Sequence, residues 1–152
     1  MKTSRVVSGV QAIPQTMKAA AIDEFGPSKV LKLHTLPVPE PGPREVLIAL
    51  HTAGVGVWDT SIRDGSWQPT GRPRFPIIPG TDGAGFVAAV GSGARQFRAG
   101  ERVYAYEYAN PKGAFYAEYE SRACGACPGS SRPLAGGHRS NDGLDGTPGN
   151  RQ

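Results

Sequence analysis

Apolar and polar residues alternate with period two along much of the first 120 positions, the pattern of half-buried β-strands. MKAAAID at residues 17–23 is a short apolar run, broken by the turn chemistry of FGPS. VLKLHTL at 30–36 alternates clearly, and EVLIALHTAGV at 45–55 is rich enough in aliphatic residues to form a central strand. Residues 85–90 predict another strand, followed by the turn GSGARQ and a re-entry into VYAYEY at 103–108. GAFYAEY at 113–119 alternates once more. Between these runs, PVPEPGP at 37–43 and GRPRFPIIPG at 71–80 carry prolines, whose fixed φ and missing N–H keep them out of central strands and helix interiors. They predict extended connections. WDTSIRDG at 58–65 has room for one helical turn, and no amphipathic helix of 12 residues is present. About seven short strands joined by Gly/Pro turns predict a mainly β fold, a barrel or sandwich with short helical turns.

Composition sharpens the boundaries. The chain has 152 residues with 21 Gly and 14 Pro, and 38% of its residues are hydrophobic. Two bases and no acid lie in residues 1–16, and MKTSRVVSGVQAIPQT lacks the apolar stretch of a secretory signal. It reads as a disordered leader. Residues 17–122 hold 12 bases and 11 acids, so the net charge of +4 sits mostly on the ends. The near-neutral centre argues against an electrostatic nucleic-acid face. No 18-residue apolar run is present, so no membrane span is expected. From residue 123 onward, Leu134 and Leu144 are the only large apolar residues, too few to offset ordering entropy. Residues 123–152 therefore read as a disordered tail. Cys124 and Cys127 are the whole thiol supply, which points to the cytoplasm rather than a disulfide framework.

Two motifs carry candidate chemistry. GAGFVA (Gly83, Gly85, Ala88) matches the G-x-G-x-x-G/A dinucleotide fingerprint. Such a loop must follow a buried strand and open a helix that receives the pyrophosphate. Here a proline turn precedes it and strand formers follow, so the motif reads as a glycine-rich turn entering a strand. Cys124-Gly-Ala-Cys127 has zinc or redox spacing, but no second pair exists and His138 is the only nearby histidine. His34 and His51 lie within strand patterns, as surface or satisfied residues.

Residues 17–120 resemble the N-terminal, GroES-like domain of medium-chain dehydrogenases/reductases. The blocks run in order: MKAAAIDEFG, PVPEPGPREVLIALHTAGV, WDTSIRDG, FPIIPGTDGAGFVAAVGSGARQFRAGERV and GAFYAEYES. The resemblance implies a partly open, GroES-like β-barrel. Within that superfamily the sequence is similar to the zinc-independent, ζ-crystallin-like NADPH:quinone oxidoreductases. Zinc-dependent members place a Cys ligand where this chain has Gly56, and a His ligand where it has Thr81. Glycine offers no donor atom, and a neutral hydroxyl is a poor zinc ligand, so no metal is expected. The relay hydroxyl of alcohol dehydrogenases falls at Trp58, which cannot relay a proton.

The resemblance further implies hydride transfer from NADPH to a quinone- or enone-like acceptor. Cleft-facing positions then map to Gly56, Val57, Trp58, Asp59, Ser61, Trp67 and Thr81. Gly56 stands where quinone reductases usually carry Asn, and Ser61 and Trp67 stand where some carry Tyr. Trp67 offers either a flat wall to a quinone ring or plain loop packing. Asp59 either hydrogen-bonds with Thr81 across the former metal position or caps a helix. The family's cofactor domain should follow residue 120, yet only about 30 Gly/Pro/Ser-rich residues do. A truncated or frameshifted gene is therefore expected, encoding a catalytic-domain portion that binds no NADPH alone. The alternatives are one half of a split reductase, completed by a separate cofactor-domain chain, and a non-catalytic GroES-like binding module.

Overall fold

The computed structural model describes residues 12–68, 73–107 and 114–123. Most of the expected leader and tail, with Cys124, Cys127 and His138, lies outside the described residues. Two boundaries shift inside them. Thr16 already belongs to the first strand, and Ala123 closes the last.

Six strands, one α-helix and a short 3-10 turn (Ser28–Val30) are present among the described residues: β1 (Thr16–Ile22), β2 (Leu31–Pro37), β3 (Glu45–Ala53), α1 (Val57–Asp64), β4 (Asp82–Val90), β5 (Arg102–Tyr106) and β6 (Tyr119–Ala123). The mainly β expectation holds. The strands form two open sheets, not a closed barrel. β1 and β2 make an antiparallel pair, and the second sheet has the order β5-β4-β3-β6, also antiparallel throughout. Isolated bridges tie the two, Ala19 to Ala117 and Ile22 to Ile77.

Period-two alternation explains the core. Met17, Ala19 and Ala21 share one face of β1 and pack with Ile78. A second cluster joins Val46 and Ile48 of β3, Val87 of β4, Val103 and Ala105 of β5, and Phe115. The glycines of GAGFVA serve this second sheet. A Cβ at Gly85 would collide with the Ala49 carbonyl oxygen and stand 2.9 Å from Leu50 Cα, so β4 can approach β3 only without a side chain there. The motif is a strand, and no helix follows it before β5.

GAFYAEY departs from its pattern. The new strand begins only at Tyr119, and residues 115–118 form a bend. Their backbone is shared among several segments: Tyr116 N–H donates to Pro79 O, Ala20 N–H to Tyr116 O, and Glu118 N–H to Lys18 O. A segment joining two sheets cannot keep one ladder, so its alternation records two different burial sites. The 58–65 stretch also exceeds expectation, forming an eight-residue helix of more than two turns.

Candidate functional site

The site is built around the start of α1. β3 ends at Ala53, and Gly54 N–H donates to Asp82 O at 2.9 Å, which sets the chain leaving β3 beside the start of β4. Gly56 is the N-cap. Having no side chain, it leaves the capping to Asp59, the third helical residue, whose Oδ2 accepts the Gly56 N–H at 2.7 Å. The helix ends at Gly65 in the left-handed conformation, φ 82°.

Asp59 does more than cap. Its Oδ1 accepts the Gly80 N–H at 3.0 Å, and Tyr116 donates its hydroxyl to Oδ2 at 2.9 Å. The carboxylate is only 6% exposed, so these three donors replace water around a buried acceptor. Asp59 thereby fastens three segments to one another: the α1 start, the turn before β4, and the bend before β6. Burial, reinforced by the bond to Asp59 and by the charges of Asp59 and Asp82, pushes the Tyr116 hydroxyl up to about 12. Tyr116 therefore stays protonated and donating at any physiological pH.

Of the two expected roles of Asp59, capping is observed, and the reach across to the PGTD turn is observed in altered form. The partner is the backbone of Gly80, while the buried Thr81 hydroxyl lies 3.3 Å from Asp82 Oδ1 as its donor. Gly56, Asp59 and Thr81 are thus brought to one place. Val57 and Trp58 sit on the same turn but face outward, 70% and 56% exposed, next to the exposed Val55. The Trp58 indole lies against Gly56: a Cβ there would be 3.0 Å from its Cδ1 and 3.3 Å from its Nε1. Ser61 and Trp67 lie further along, half-buried and joined by Trp67 N–H donating to Ser61 O at 3.1 Å.

Sequence reasoning missed Tyr116 and Gly80. Tyr116 lies 57 residues from Asp59, and no spacing rule connects them. His34 and His51 stay apart from this site. His34 Nε2 lies 3.4 Å from Asp23 Oδ2, and the His51 ring meets Phe86 edge-on at 5.2 Å. No helix among the described residues is long and apolar enough to cross a membrane.

Known proteins resemble the chain throughout this region. It is 42% identical over 89 residues to a human quinone oxidoreductase, an alignment covering 58% of this chain and 26% of that protein. It is 42% identical over 88 residues to an alcohol dehydrogenase of Rhizobium meliloti, covering 58% and 25%. The chain thus spans about a quarter of the length of these curated relatives. The solved quinone oxidoreductase of Coxiella burnetii superposes with a TM-score of 0.65 at 33% identity, over 71% of this chain and 35% of that one. The sequence profile of the alcohol dehydrogenase GroES-like domain matches residues 42–144, past the boundary expected at 122. The chain belongs to the alcohol dehydrogenase GroES-like domain family.

Proposed function

We propose that this chain is the acceptor-side portion of an NADPH-dependent, zinc-independent oxidoreductase that reduces quinone- or enone-like compounds by hydride transfer. The observation that carries the reading is its 40–42% identity, over about 90 residues, to relatives named quinone oxidoreductases. The geometry at positions 56 and 81 supports the zinc-independent branch over the alcohol dehydrogenase alternative. Gly56 brings no donor atom and has an indole beside it, and the Thr81 hydroxyl is buried and directed at Asp82. These residues do not fit a zinc ion, which takes thiolate, imidazole or carboxylate donors.

When bound, a reduced nicotinamide supplies the hydride. The residues of this chain bind and orient the acceptor. Val57 and Trp58 present apolar surface, and Asp59 holds their turn at a set distance from the Gly80–Thr81 corner. Among the described residues the dinucleotide fingerprint GAGFVA is strand β4 and offers no phosphate-binding loop, which supports a reading in which the cofactor is held by another unit, such as a separate chain. Two cysteines in 152 residues suit a reducing cytoplasm.

The test is a chimera in which residues 17–120 replace the matching segment of the human quinone oxidoreductase. NADPH oxidation with 1,4-naphthoquinone, unaffected by o-phenanthroline, is expected. Loss of activity on chelation, or turnover of alcohols in place of quinones, would overturn the reading. Calorimetry of the 152-residue chain with NADPH should show no micromolar binding.

A further inference from the structure

Resting on the acceptor reading above, we infer that Trp58 is the specificity-determining platform of this site, and that it selects planar aromatic ring systems such as naphthoquinones. From sequence, Trp67 reads as either a flat wall to a quinone ring or a packing aromatic on its loop. The two indoles differ in exposure. Trp67 is half-buried, its backbone tied to Ser61. Trp58 is 56% exposed and forms, with Val55 at 87% and Val57 at 70%, a run of open apolar surface at the start of α1. Contiguous exposed apolar residues of this kind, on a turn tied down by the Asp59 bonds, are a surface suited to a ligand contact.

Gly56 makes the platform feasible. The indole edge occupies the space that a side chain at 56 would enter, with Cδ1 only 3.0 Å from the place of a Cβ. A polar side chain at 56 would push the indole away and put a hydrogen-bonding group in its stead. This chain therefore presents a flat, polarisable surface, which favours stacking with a planar π-system over a puckered enone. The turn is also pre-organised. Asp59, directly after Trp58, is fixed by Gly56 N–H, Gly80 N–H and the Tyr116 hydroxyl, so the backbone carrying the indole is ordered before any ligand arrives.

The test uses the 152-residue chain and 2,3-dimethyl-1,4-naphthoquinone, whose blocked ring positions do not add thiols. Binding is read from amide and indole Nε1–H shifts by NMR, with isophorone as the puckered, non-aromatic comparator. The naphthoquinone should bind, moving the Trp58 indole signal more than that of Trp67, and isophorone should bind at least several-fold more weakly. Trp58→Ala should weaken naphthoquinone binding about tenfold. Gly56→Asn should weaken it similarly while leaving thermal stability equal or higher, because Asn is a strong N-cap; damage to the fold would not give that split. Equal naphthoquinone affinity in wild type and Trp58→Ala would overturn the platform and leave the acceptor reading standing. Equal affinity for the two ligands would overturn the aromatic selectivity. Failure of the wild type to bind either ligand would overturn the acceptor reading and the platform together.

Discussion

At the scale of single residues, Asp59 concentrates more consequence than any other side chain of the site. Replacing it with Ala leaves the buried Gly80 N–H and the half-buried Gly56 N–H and Tyr116 hydroxyl without this acceptor; a buried donor left unpaired costs about 1–3 kcal/mol and a half-buried one less. Urea unfolding of Asp59→Ala should show a loss of about 3 kcal/mol or more. Tyr116→Phe removes one charge-assisted bond and keeps the ring, so it should cost about 1.5 kcal/mol. The two changes share a partner, and a double-mutant cycle should show them clearly non-additive. The bond also predicts a pH dependence. The Tyr116 hydroxyl is raised in the folded state from 10.0 to about 12, so its contribution is complete below the unfolded value and fades as pH rises from about 10 through 12. Tyrosinate absorbance should show a component that ionises at about 12, and Asp59→Asn should lower it. Asp59 was legible in the sequence as a cap or a cross-site bond. Tyr116 was not, because an alternating apolar pattern says which residues are buried and nothing about which polar tip meets which.

At the scale of elements, helix α1 and strand β4 depend on glycine for different reasons. α1 ends at Gly65 with positive φ, and a Cβ there would also lie 2.7 Å from the Phe25 ring, which stacks edge-on with Phe75. Gly65→Ala should therefore cost more than the roughly 1 kcal/mol of backbone strain alone, lowering Tm by about 4–8 °C or more. In β4, Gly85→Ala would force the strand away from the Ala49 carbonyl, and a loss of about 2–3 kcal/mol is expected in thermal unfolding. Both positions are visible as glycines in the sequence. Gly65 follows a helical stretch and reads naturally as its end. Gly85 sits in a match to a phosphate-binding fingerprint, and only its flanks, proline before and strand formers after, direct it to a sheet. The extent of α1 was understated, since the capping carboxylate and the terminal glycine together sustain two turns where composition promised one.

At the scale of the whole molecule, the four-stranded sheet curls far enough that its opposite edges communicate. Arg122 on β6 lies 3.6 Å from Glu107, just past β5, although two strands separate them in the sheet. Register shifts in β3, between Leu47 and Ile48 and between Leu50 and Thr52, add to the normal strand twist and help produce this curl. Both partners are largely shielded from water, so Arg122→Ala should cost about 1–2 kcal/mol by calorimetry, with the wild-type margin shrinking at high salt. The sequence by itself determined the β character, the order and approximate limits of the strands, and the helical turn after β3. It also determined the family resemblance, through blocks spread over about a hundred residues. Each of these is encoded locally, in side-chain period, proline and glycine placement, and residue types in order. The tertiary structure alone decided that Tyr116 and Gly80 meet Asp59, that Trp58 rather than Trp67 is open at the site, and that residues 115–118 join two sheets instead of extending one. Those outcomes depend on which distant segments the packed sheets bring within hydrogen-bonding range, and no local pattern along the chain carries that distance.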